Sequence, residues 1–78
     1  MKNNTQHQTQ TREELIPSGP LRIRWSELLG EKRNEPDAAK RQLLFQFAHG
    51  WLRALVDVGV LSHADMPELR ELLIAAKP

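Results

Sequence analysis

The stretch from Asp37 to Val58 constrains this chain more than any other, because it reads as one long helix that is apolar around most of its circumference. At about 100° per residue, Leu44, Ala48, Trp51, Leu55 and Val58 form one apolar stripe. Phe45, Leu52 and Val56 widen it on one side, and Leu43, Phe47 and Ala54 on the other. The polar strip is only Gln42, Gln46, His49, Gly50, Arg53 and Asp57. The apolar arc is roughly 220° wide, against the ~100° stripe of an ordinary surface helix. Such a helix has to be covered on most sides by the rest of the chain, by a second copy or by a partner.

Local signals bound this element. Asn34-Glu35-Pro36-Asp37 reads as its start, with Asn34 or Glu35 ahead of a proline at the first helical position. Asp37 adds negative charge at the positive helix end. Gly59 is the expected glycine just past the end, with Val60 and Leu61 docking back. Gly50 costs about 1 kcal/mol against alanine. Its simplest reading is a tolerated residue on the polar strip or a slight bend; the alternative is close approach of another backbone.

The cover has to come from little. The chain has 78 residues, and the ordered part is expected from about Pro20 onward. A domain of this size buries only ~60% of its unfolded surface. It has no cysteine, so neither a disulfide nor a thiolate metal site can staple it. Self-association or a partner is therefore expected.

Residues 1–19 are expected to be a disordered polar tail, and residues 20–78 a helical domain. Met1 to Arg12 is Asn/Gln/Thr-rich with nothing to bury. Glu13 to Ile16 makes at most a short turn, ended by Pro17, and Pro17-Ser18-Gly19-Pro20 marks the boundary. Leu21-Arg22-Ile23-Arg24-Trp25 reads in two ways. Its alternation suits a short extended segment, with Ser26 then capping a helix from Glu27 to Glu31. A helix from Pro20 capped by Ser18 instead places Leu21, Trp25, Leu28 and Leu29 on one face. The helix is preferred, because a lone strand has no second strand to pair with.

Gly30 to Pro36 is read as a polar connection, and Gly59 to Asp65 as a second one. Ser62…Asp65 and Asp65…Glu68 both have capping-box spacing. Asp65 is the preferred cap, since Pro67 belongs in a first turn. The last helix then runs from Met66 to Lys77 with Met66, Leu69, Leu72, Leu73 and Ala76 inward. Ile74 lies off that face, exposed or against a second subunit. The expected fold is all-α: a small three-helix domain with a long central helix and a disordered N-terminal tail. The outer helices are too small to cover Phe45, Phe47, Leu52 and Val56 as well, and that surplus predicts a homodimer.

Chemistry is sparse. There is no glycine-rich phosphate loop, no cysteine nucleophile and no His-x-x-x-His pair. His49, Arg53 and Asp57 read as the wet strip of the central helix, with an Arg53–Asp57 pair. His63 reads as a loop residue, and two histidines distant in sequence do not make a metal site. No catalytic residue, metal site or cofactor is expected, and no small-molecule substrate is evident.

Formal charge is +1. Arg22, Arg24, Lys32, Arg33, Lys40 and Arg41 could contact phosphates, but Glu27, Glu31, Glu35 and Asp37 interleave them. A helix-turn-helix register fails because its second helix opens Met66-Pro67-Glu68 and offers only Arg70 to a groove. No apolar run approaches the ~20 residues of a membrane span. Met1-Lys2-Asn3-Asn4-Thr5 lacks the apolar core of a secretory signal, so a cytoplasmic location is the default expectation.

These readings lead us to expect a non-enzymatic interaction or regulatory module. It binds itself, another protein or both through Phe45, Phe47, Trp51, Leu52 and Val56. The alternative is a small DNA- or RNA-binding regulator that uses the six basic residues.

Overall fold

The computed structural model describes residues 15–78. The expected tail lies outside the described residues up to residue 14. Three helices follow in order: α1 (Pro20–Arg33), α2 (Ala38–Asp57) and α3 (Met66–Ala75), with a 3-10 turn over His63–Asp65 ahead of α3. The fold is all-α, and no strand occurs among the described residues. Both outer helices pack on α2, and they also touch each other.

The domain begins earlier than the breaker cluster. Ile16 is fully buried, and Leu15 packs against the core. Arg22 holds this segment down by donating from Nε (3.0 Å) and Nη2 (2.9 Å) to the Ile16 carbonyl. Pro17 to Gly19 is thus a turn inside the domain. Gly19 has φ 101°, and its carbonyl accepts the first helical bond, from Ile23 N–H at 3.0 Å. Ser18 makes no capping bond, so the expected serine cap is replaced by a glycine whose conformation suits it to the turn.

Helix α1 takes the helical reading of residues 21–25 and runs on through Gly30 to Arg33. The connection expected over residues 30–36 shrinks to the few residues around Pro36. Glu31, Lys32 and Arg33 are good helix formers that outweigh one glycine. Lys32 and Arg33 also suit the negative helix end. Termination falls ahead of Pro36, which disfavours helical geometry at Glu35. Helix α2 then starts at Ala38, with Asp37 rather than Asn34 or Glu35 as its cap: the Asp37 carboxylate accepts from Ala39 N–H at 2.9 Å. Arg41 Nη1 straps the linker by donating to the carbonyls of Glu35 (3.0 Å) and Pro36 (2.8 Å).

At its other end α2 closes as expected on Gly59, at φ 83°. Val60 N–H reaches the Leu55 carbonyl at 2.9 Å, and Gly59 N–H reaches that of Val56 at 3.0 Å. Both orphan carbonyls are thereby satisfied. Leu61 docks into the core, whereas Val60 stays on the surface. Asp65 stands at the N-cap of α3 as expected, but its side chain makes no capping bond to that helix. Its carboxylate turns back to accept from Ser62 N–H (3.1 Å) and Oγ (3.3 Å), so Ser62 opens a 3-10 turn that leads into the helix. Helix α3 ends at Ala75, short of Lys77. The buried Lys32 Nζ donates to the Ala76 carbonyl at 2.8 Å and so satisfies an orphan of the helix end.

The core combines Ile16, Trp25, Leu28 and Leu29 with Ala48, Leu52 and Leu55 of α2 and Leu61, Leu69, Leu73 and Ala76. Trp25 is fully buried and stacks on Trp51, with ring centroids 6.2 Å apart and 6° between planes.

Candidate interaction surface

Helix α2 cannot hide all its apolar residues between two short neighbours. Burial centres on Ala48, Leu52 and Leu55, with Leu44, Phe45, Trp51 and Val56 half-buried at the flanks. Leu43, Phe47, Ala54 and Val58 face outward in one row. Three of them are large and more than half exposed: Leu43 at 64%, Phe47 at 56% and Val58 at 73%. Val58 was expected on the central stripe. The helix ends at Asp57 and turns at Gly59, so neither outer helix reaches it. In the middle of this face Gly50 is exposed, and a Cβ placed there would meet nothing within 4 Å. No backbone of the described residues approaches it.

One cation borders the row. The Arg24 guanidinium lies 5.8 Å from the centre of the Phe47 ring. It is held there by Glu27 at 3.2 Å and Glu31 at 3.8 Å. Phe47 stays more than half exposed beside it.

Of the five residues expected at an interface, the structure leaves Phe47 well exposed and Phe45, Trp51 and Val56 partly so. Leu52 is fully buried in the chain's own core and offers nothing to a partner. Phe45 stacks on His49 at 5.6 Å, and Trp51 on Trp25. Leu43, Ala54 and Val58 complete the outward row in their place. The wide apolar arc signalled that one side would stay bare; which side depends on where α1 and α3 dock.

The six basic residues do not form one patch. Arg22 is bonded to the Ile16 carbonyl, Arg24 to Glu27, and Arg41 to the linker carbonyls. Lys32 is 6% exposed and bonded to Ala76. Burial, with Arg41 and Lys77 nearby, holds its ammonium below the ordinary lysine range. Only Arg33 and Lys40 are exposed without a bonding partner among the described residues.

His49, Arg53 and Asp57 do lie on the wet side of α2, but no Arg53–Asp57 ion pair forms among the described residues. His63, distant in sequence, shares a cleft with His49 and Arg53 between α2 and the start of α3. Among the described residues no group of three or more His, Asp or Glu could hold a metal ion. No helix there is long and apolar enough to cross a membrane.

Compared with protein-family models, with curated proteins and with solved structures, the chain matches none of them.

Proposed function

We propose that this protein is a non-enzymatic interaction module that pairs with a second copy of itself through the outward face of α2. The carrying observation is the row Leu43, Phe47, Ala54 and Val58, exposed along one flank of α2 outside the core. The row is self-complementary. Leu43 and Val58 lie equally far from the Gly50–Trp51 midpoint, and so do Phe47 and Ala54. An antiparallel two-fold there sets Leu43 of one copy against Val58 of the other, and the large Phe47 against the small Ala54. Gly50 falls at the crossing, where the absence of a side chain lets the two helices come close.

The exposed parts of the three large side chains offer roughly 300 Å² of apolar surface per copy, a typical functional patch. A standard stable interface buries about 800 Å² per partner. This face therefore fits a weak dimer that forms with concentration, as a regulatory contact does. The nucleic-acid reading has less support, because four of its six basic residues are tied to backbone carbonyls or carboxylates.

Sedimentation velocity across a concentration series tests the proposal. The native chain should sediment faster as concentration rises, with little dependence on salt, since the contact is apolar. Phe47→Glu should remain a monomer with near-native urea stability, because the ring is outside the core. A native chain that is monomeric throughout the series contradicts the proposal.

A further inference from the structure

A second face of the molecule, on the other exposed flank of α2 from the apolar row, gathers cationic and imidazole groups. The cleft between α2 and the start of α3 has a volume of about 470 Å³ and is lined by His49, Arg53, His63, Met66, Pro67 and Arg70. No carboxylate lines it. Glu68, in the first turn of α3, does not line it either. The Asp65 carboxylate is occupied by Ser62 N–H and Oγ. Asp57 forms no ion pair with Arg53 among the described residues.

Two arginines from different helices thus line one cleft whose lining holds no carboxylate. Arg53 and Arg70 have neither a hydrogen bond nor an ion pair among the described residues, unlike Arg22, Arg24 and Arg41. The N-terminal turn of α3 contributes Met66 and Pro67 to the same wall, and its dipole adds positive potential. The two rings at the cleft, His49 and His63, supply further N–H donors.

We infer that this cleft is a binding site for a phosphate monoester carried on a small organic body. Guanidinium forks match the oxygens of phosphate in pairs, and four donor-bearing side chains suit a group with three free oxygens better than a carboxylate with two. Met66, Pro67 and the ring of His49 provide an apolar wall for the body that carries the phosphate.

The probes are inorganic phosphate, phenyl phosphate, benzoate and a single-stranded oligonucleotide, each titrated into the full chain at matched ionic strength and followed by ¹H–¹⁵N NMR. Phenyl phosphate should give saturable shifts at His49, Arg53, His63 and Arg70, at lower concentration than inorganic phosphate, with benzoate weaker than both. Arg53→Gln and Arg70→Gln should each weaken phenyl phosphate about tenfold, as loss of a charge-assisted hydrogen bond does. Both side chains are exposed, so the urea midpoint should not move. Arg33→Gln, remote from the cleft, should bind as the native chain does. The inference is overturned by shifts that never saturate, by an equal loss in the Arg33 variant, by benzoate binding as well as phenyl phosphate, or by saturation with the oligonucleotide alone.

Discussion

Ile16→Ala should remove a large share of this domain's stability, although the residue precedes two prolines and a glycine. Its side chain is fully buried, and replacing a buried isoleucine by alanine costs about 2–5 kcal/mol. The described domain is small, and stability of about 0.05–0.15 kcal/mol per residue gives it roughly 3–10 kcal/mol in all. With a urea m-value near 1 kcal/mol/M for a chain this size, a loss of ~3 kcal/mol moves the midpoint by about 3 M. Arg22→Met should cost about 1–2 kcal/mol, because it removes both bonds to the Ile16 carbonyl. The double variant should lose less than the sum, since both residues pin the same segment. Urea unfolding followed by circular dichroism measures all three. A midpoint for Ile16→Ala within the scatter of surface substitutions, about 0.5 kcal/mol, refutes the placement of this residue in the core.

Three further outcomes follow from single contacts. Gly59→Ala should cost about 1 kcal/mol in urea unfolding, because φ 83° suits glycine and strains any side chain; an unchanged midpoint contradicts that turn. Trp25→Phe should cost less than a typical core truncation, under about 2 kcal/mol, because Trp25 Nε1 is buried without a hydrogen-bond partner among the described residues and its removal relieves an unmet donor; a cost well above that means the indole N–H is bonded. Lys32 is held below the ordinary lysine range, chiefly by burial, so the unfolded chain binds that proton more tightly. Stability should therefore rise with pH through the alkaline window just below the ordinary lysine value. Lys32→Met should flatten that rise, and a rise of equal size in the variant would assign it to another group.

Much of the fold was legible in the sequence for identifiable reasons. The inward positions of α3 follow a strict helical spacing, so Leu69, Leu73 and Ala76 could be placed in the core from periodicity alone. Gly59 was legible because glycine is the residue best suited to the positive-φ turn it makes. The start of α2 was misplaced because Pro36 is compatible both with a first turn and with a linker, and only the Asp37 bond to Ala39 separates the two. Ile16 was missed because a tail's composition says nothing about one apolar residue held by an arginine six positions on.

The candidate surface was legible only in outline. A helix apolar around most of its circumference signals surplus, which is why Phe47 was named. The same pattern cannot say which flank the neighbouring helices cover, so Leu52 was placed outside and Val58 inside. The cleft of His49, Arg53, His63 and Arg70 was hidden for another reason: its members come from separate elements and meet only after α3 packs against α2.

Self-association across α2 is tested most directly by disulfide trapping, because the chain has no cysteine of its own. Gly50→Cys sits at the crossing point, in open space on the surface. Leu43→Cys sits about 10 Å along the helix from it, so two such residues in an antiparallel pair lie roughly 20 Å apart. Under mild oxidation Gly50→Cys should give a covalent dimer rapidly, within the reach of a disulfide. Leu43→Cys should do so slowly, and Phe47→Glu added to Gly50→Cys should suppress the product. Equal rates for the two single-cysteine chains, or trapping that survives Phe47→Glu, would contradict an antiparallel pairing through this face.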